Sequence, residues 1–219
     1  MNHFETVSCR GVSTRTPKTA QRVVDNKAKR AMDIGLSATA LLFLAPFLIL
    51  VALAIWLEDR KPVMFRQQRT GRNGKPFRIC KFRTMTVAED GADVRQATKG
   101  DQRVTRVGAV LRTLSIDELP QLLNVVRGDM SLVGPRPHAL AHDELWKTMA
   151  PGYAERFRAR PGLTGYAQVM GLRGEIRNAE EIVRRVAADN FYIDNWSLHL
   201  ELLILLRTIP LLFNDPRAY

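Results

Sequence analysis

The chain is short of cysteine, histidine and acid. Its 219 residues include two cysteines, Cys9 and Cys80, far apart and in unlike surroundings. That excludes a disulfide framework and a cysteine-based zinc site, and it fits a reducing compartment. The four histidines, His3, His138, His142 and His199, are scattered. His138 and His142 are spaced to share a helix face as metal ligands do, but Pro137 adjoins them and no third ligand is clear. Two ordinary surface histidines are the better reading. The 22 acidic residues are outnumbered by 33 basic ones, for a formal charge of +11. Such a surplus suits an anionic partner: nucleic acid, a phosphorylated small molecule or an anionic membrane face. No helix-turn-helix, zinc-finger or RNA-binding signature is visible, and the basic residues are spread over many elements, which counts against nucleic acid. A membrane-tethered nucleic-acid-binding protein without enzymatic activity is the rival reading. No internal repeat is visible.

Charge is missing altogether from Ile34 to Leu57, "IGLSATALLFLAPFLILVALAIWL". A bilayer core takes roughly 20 apolar residues in a helix, so this run is long enough to cross one. Two features favour re-entry over a simple span. Pro46 removes a backbone hydrogen bond in the middle of the run and bends it. Basic residues flank both ends, Lys27, Lys29 and Arg30 before and Arg60, Lys61, Arg66 and Arg69 after, which keeps both ends cytoplasmic. Residues 1–29 are polar and basic without an apolar face and read as a disordered tail. They are not a secretory signal, because the apolar run begins late and no cleavage site follows it. The expected divisions are therefore 1–29 as tail, 30–59 as a re-entrant helix-break-helix, and 60–219 as a cytosolic domain.

Alternation at Val63–Gln68 and Phe77–Phe82, around Gly71, Asn73 and Gly74, predicts a β-hairpin. Residues 88–101 read as a loop. Helices are expected near 105–113, 117–127, 139–149, 151–158 and 178–195. Two Gly- and Pro-rich stretches, 128–139 and 160–174, read as shaped loops, the second with a short strand at 165–169. The apolar end, "SLHLELLILLRTIPLLF", is interrupted by His199, Glu201, Arg207 and Pro210 and suits an interfacial helix. The fold class is α+β, mostly helical.

Within "SIDELPQLL", residues 115–123, Asp117 and Glu118 stand side by side. Ser115 and Glu118 have capping-box spacing, and acids and proline suit a first helical turn. The same geometry serves phosphate chemistry. A helix N-terminus faces anions, one carboxylate can attack phosphorus, and its neighbour can hold a magnesium ion. Lys81, Arg83, Arg112, Arg136 in "GPRP" and Arg173 are candidate phosphate contacts, guanidinium on a stiff support being well suited to that task.

Together the motifs resemble the bacterial sugar transferases, the small monotopic polyprenyl-phosphate phosphoglycosyl transferases. The matching stretches are "KRAMDIG", the proline-centred apolar segment, "PVMFRQQRTGRNGKPFRICKFRTM", "LRTLSIDELPQLLNVVRGDMSLVGPRP", "RPGLTGYAQVMGLRGE" and "YIDNWSLHLELLIL". They cover nearly everything from Lys29 to Leu206. The resemblance implies transfer of a sugar-1-phosphate from a UDP-sugar to undecaprenyl phosphate with release of UMP. By motif, Asp117 is the nucleophile of a covalent phosphosugar intermediate and Glu118 binds Mg2+. Lys81, Arg83, Arg112, Arg136 and Arg173 line the substrate site. Glu201, counted among the substrate contacts, stands where the family has aspartate, and Ala45 precedes Pro46 where the family has serine. The resemblance implies an inner-membrane enzyme facing the cytoplasm that starts an exopolysaccharide or capsule repeat unit. "GPRPHA" with "GLRGE" is closer to the glucose- or galactose-1-phosphate branch than to the acetamido-sugar branch. Inner-membrane lipids are expected partners, nucleic acid is not, and a homodimer is left open.

Overall fold

A computed structural model describes residues 26–86, 98, 100–174 and 176–213. The expected tail, up to residue 25, and most of the loop at 88–101 lie outside the described residues.

The apolar run forms helix α1, Lys27–Asp59. Asn26 caps it, accepting the Lys29 N–H at 2.9 Å, and Arg60 ends it in the left-handed region at φ 59°. At 1.5 Å per residue the helix is about 50 Å long. The break expected within 30–59 is absent as an interruption, since the helix is continuous through Pro46. One proline removes one backbone bond, and Ala45 has no hydroxyl with which to open the turn further.

One face of α1 packs onto the domain from end to end. Lys29, Asp33 and Ser37 are buried near its start, and Val51 and Ile55 near its end. The opposite face is bare and apolar: Leu42 and Phe43 are 80% and 83% exposed, with Ile49, Leu50 and Leu57 also open. Both ends are bonded to the same body. Arg30 donates to the Val125 and Val126 carbonyls at 2.7 and 2.9 Å, and Asp33 accepts from Ser131 Oγ and Leu132 N. At the far end Asp59 pairs with Arg83 and Glu58 accepts the Val107 N–H.

The hairpin is β1 (Met64–Thr70) and β2 (Pro76–Phe82), antiparallel, with a 3₁₀ turn at Arg72–Gly74. Helix α2 is Arg106–Thr113, followed by a 3₁₀ helix, Ile116–Gln121, and α3, Leu122–Arg127. Strand β3, Ser131–Val133, lies parallel to β4, Gly162–Thr164. Between them come α4, Leu140–Met149, and a 3₁₀ helix, Tyr153–Arg158. The short strand expected at 165–169 is instead helix α5, Tyr166–Val169, and β4 precedes it. Helices α6, Ala179–Asp194, and α7, Leu198–Phe213, complete the described chain.

The main core joins Ile79, Leu122, Val125, Met130, Leu132, Tyr192, Ile193, Trp196 and Ile204. A second joins Trp146, Tyr153, Ile182 and Val186, and a third joins Val51 and Ile55 of α1 to Phe82 and Leu111. The third core therefore seats the apolar helix beside the hairpin and α2, which carry the candidate cations Lys81 and Arg112. On α7, Leu198, Leu202, Leu206 and Ile209 are exposed at helical spacing, as an interfacial helix requires.

Candidate active site

The carboxylate pair sits in the 3₁₀ helix Ile116–Gln121, not in an α-helix, and the expected capping box does not form. Ser115 adopts φ 55° and makes no side-chain cap bond. Its hydroxyl instead accepts from Arg173 at 2.8 Å. Pro120, which has no backbone N–H to give, lies inside this turn. Asp117 and Glu118 are 8% and 7% exposed.

Glu118 is held on two sides. Its Oε1 accepts from Lys81 Nζ at 2.7 Å and from Arg136 at 2.6 Å, and its Oε2 takes a longer 3.2 Å bond from Arg136. Hairpin pairing sets Lys81 opposite Phe65. Arg136 is fixed by its loop. A Cβ on Gly134 would come within 2.4 Å of the Arg160 carbonyl oxygen, so only glycine lets the "GPRP" backbone pass there. The Arg136 carbonyl accepts from Arg156 at 2.7 Å.

Asp117 differs from its neighbour, accepting no hydrogen bond among the described residues. Burial pushes its carboxyl up, Lys81 and Arg112 oppose that, and the Glu118 charge adds to it. Burial also works against ionised Glu118, but Arg136 and Lys81 override it and hold that carboxyl well below the usual range. Burial lowers the Lys81 amine against the pull of Glu118 and Asp117. The site therefore presents one carboxylate held by two cations beside one largely buried carboxylate that accepts no hydrogen bond among the described residues. The second is the better nucleophile, because few hydrogen bonds must be broken before it attacks.

Six expected residues thus meet. Glu118, Lys81 and Arg136 are bonded together. Arg112 acts electrostatically on Asp117, and Arg173 acts on Glu118. Two others are placed elsewhere. Arg83 forms a fork with Asp59 and donates to the Pro62 carbonyl at 2.6 Å, locking the end of α1 to the hairpin. Glu201 is fully buried and accepts from Lys29, from Tyr192 OH at 2.7 Å and from Trp196 Nε1 at 2.8 Å. Both side chains are thus taken up by protein partners of their own. His138 and His142 both pack on the Trp146 ring, at 4.5 and 5.0 Å between centroids. His138 Nδ1 also meets Tyr153 OH at 2.6 Å.

Among the described residues no group of three or more His, Cys, Asp or Glu could hold a metal ion by itself. Magnesium asks for less, often one or two carboxylates with phosphate oxygens and water completing the shell. Glu118 Oε2, with a single long bond, and the unbonded Asp117 beside it fit that demand.

Sequence reasoning missed a buried polar layer behind Arg136. Arg156, 2% exposed, pairs with Asp189 at 2.8 Å and reaches His138 Nδ1 at 3.1 Å. Tyr153 and Thr70 both donate to Asp143. Charged residues in polar-looking helices carry no local sign of burial, so the only signal available was the apolar spacing of α6.

Comparison with known proteins decides the family. Residues 24–215 match the family described as bacterial sugar transferase. The chain belongs to the bacterial sugar transferase family. Among this transferase's relatives is the UDP-glucose:undecaprenyl-phosphate glucose-1-phosphate transferase of Caulobacter vibrioides. It is 56% identical over 198 residues, covering 90% of this chain and 74% of that protein. A protein of the same description from Escherichia coli K12 is 46% identical over 196 residues, 90% of this chain but only 42% of that protein. The exopolysaccharide production protein PSS of Rhizobium leguminosarum bv. phaseoli is 46% identical over 190 residues, 85% of this chain and 95% of that protein. This transferase therefore spans less than half of some relatives and nearly all of another.

Proposed function

We propose that the protein transfers glucose-1-phosphate from UDP-glucose to undecaprenyl phosphate, releasing UMP, with galactose-1-phosphate as the alternative cargo. The observation that carries this reading is the contrast within the pair: Glu118 is anchored by Lys81 and Arg136 while Asp117 accepts no hydrogen bond among the described residues. In the first step an Asp117 carboxylate oxygen attacks the phosphorus that bears the sugar. The bond from that phosphorus to the bridging oxygen breaks, and UMP leaves with the electron pair. In the second step an oxygen of the lipid phosphate attacks the same phosphorus, and the bond to Asp117 breaks, restoring the carboxylate. A two-step path lets one basic site serve two bulky anions in turn.

Lys81, Arg112, Arg136 and Arg173 hold and neutralise the phosphates. Glu118 keeps two of these cations in place. It would also hold Mg2+ together with the diphosphate, and the ion when bound would offset the charge on the phosphate oxygens.

The membrane placement rests on α1. Both of its ends bond to the same domain, and its outer face is apolar. A helix with both ends on one body cannot leave them on opposite sides of a bilayer. We read it as lying in the cytoplasmic leaflet of the inner membrane with both ends on the cytoplasmic side, and with α7 beside it at the interface. That puts the basic site at the headgroup plane, where the lipid phosphate lies. Initiation of an exopolysaccharide repeat unit is the role this chemistry suits, and a homodimer is compatible with it.

A UMP-release screen over UDP-glucose, UDP-galactose and acetamido UDP-sugars, with undecaprenyl phosphate, tests class and cargo together. Release with UDP-glucose supports the reading; no release with any of them removes it. Cysteine labelling before α1 and beyond residue 60 is expected to find both on the cytoplasmic side, and a periplasmic position at either end overturns the re-entrant placement.

A further inference from the structure

Arg185 has no role in the chemistry so far, and its surroundings lack what a buried guanidinium ordinarily has. It is 6% exposed, yet no carboxylate oxygen among the described residues lies within the 4.0 Å of an ion pair. One terminal nitrogen donates to the Gly174 carbonyl at 3.1 Å, and its buried Nε has no acceptor among the described residues. Asp189, one turn further along the same face of α6, is already held by Arg156 at 2.8 Å. Asp189 is thus taken up by the nearer guanidinium, and Arg185 has no ion-pair partner of its own among the described residues.

The position of that charge matters. Gly174 follows Arg173, whose guanidinium holds Ser115 Oγ at 2.8 Å, two residues from Asp117. Arg156, on the other side of Asp189, donates to the Arg136 carbonyl at 2.7 Å. Arg185 therefore lies between the two loops that deliver Arg136 and Arg173. Burial lowers its guanidinium to about 10, and the strongest neighbouring charge acting on it is that of Arg136. A buried guanidinium without an ion-pair partner, facing the positive charge of Arg136, is relieved when an anion binds beside it.

We propose that Arg185 is a phosphate-binding residue of this site, its guanidinium held behind Arg136 and Arg173 for the diphosphate of the nucleotide sugar. The assignment rests on the transferase reading for the identity of the ligand. The chemistry it names, a diphosphate oxygen on a buried guanidinium, does not depend on turnover.

The test uses the full-length protein and UDP as the probe, with melting temperature and steady-state rates as readouts. Arg185→Met removes the charge and keeps the stem. Its melting temperature without ligand is expected to match or exceed that of the parent, because an unpaired buried charge has gone. The rise in melting temperature caused by UDP is expected to shrink, and KM for UDP-glucose to rise roughly 10- to 100-fold, as loss of a charged hydrogen bond implies. Arg185→Lys, which keeps the charge, is expected to recover part of the UDP effect. A full UDP effect in Arg185→Met overturns the assignment whatever the melting temperature without ligand. So does a UDP effect lost equally in both variants together with a lowered melting temperature, which marks a packing role. A parent protein that binds UDP but releases no UMP would remove the transferase reading and leave the Arg185 test standing.

Discussion

Glu118 and Glu201 are both buried, and both take a lysine amine as a partner. Around Glu201 the remaining donors are neutral and fixed, Tyr192 OH and Trp196 Nε1, and Lys29 also donates to the Val133 carbonyl. The cluster joins α1, α6, α7 and β3 and leaves its carboxylate fully used. Around Glu118 the second partner is another cation, Arg136, and the next residue is a buried carboxylate without a donor. More positive charge surrounds this pair than it neutralises. A buried carboxylate with matched partners holds elements together, whereas one whose partners exceed it makes a receptor for anions.

The sharpest break between the two regions is expected from Asp117→Asn. UMP release should fall by about 10³-fold or more, and near-normal turnover would remove Asp117 as nucleophile. The same change should raise the melting temperature at neutral pH. The folded Asp117 carboxyl binds its proton more tightly than the unfolded one, so its contribution to stability falls as pH rises above the ordinary value of 3.8. The parent and Asp117→Asn should melt alike below that pH and diverge above it. Glu118→Gln should show the opposite sign. Its depressed carboxyl stabilises the fold above the ordinary value of 4.5, and that contribution is lost as pH falls through the lower folded value. Activity is expected to drop about 10²-fold with a weakened response to magnesium, and an unchanged magnesium titration would separate Glu118 from the ion.

Glu201→Gln keeps two hydrogen bonds and leaves Lys29 charged and buried. A loss of about 3–5 kcal/mol in denaturant unfolding is expected, with KM for UDP-glucose unchanged in the folded protein. A shifted KM without lost stability would move Glu201 back among the substrate contacts. The smallest effect is expected from Ser115→Ala, which removes one hydrogen bond to Arg173. It should cost about 1 kcal/mol in stability and change KM only a few-fold.

These two regions were unequally legible in the sequence. The hairpin followed from alternation and turn residues, and α1 followed from the missing charge. Asp117, Glu118, Lys81 and Arg136 followed from motifs. The 3₁₀ form of the helix that carries Asp117 and Glu118 did not, because Ser115 has exchanged its cap for a bond to Arg173, a partner 58 positions away. The partners of Arg83 and Glu201 were hidden for a similar reason. Their partners are fixed by tertiary packing, and Lys29 is 172 positions from Glu201. An acid inside "SLHLELL" reads as a polar interruption until α1 covers it. Arg156, Arg185 and Asp189 were invisible because charges spaced along a polar-looking helix read as solvated.

The unbonded carboxylate of Asp117 is most directly tested by intact-protein mass measurement after incubation with UDP-glucose in the absence of lipid. The expected result is a mass gain of one hexose phosphate on the parent protein, absent from Asp117→Asn and discharged when undecaprenyl phosphate is added. UMP release and lipid product without any such adduct, or an adduct that persists in Asp117→Asn, would contradict it.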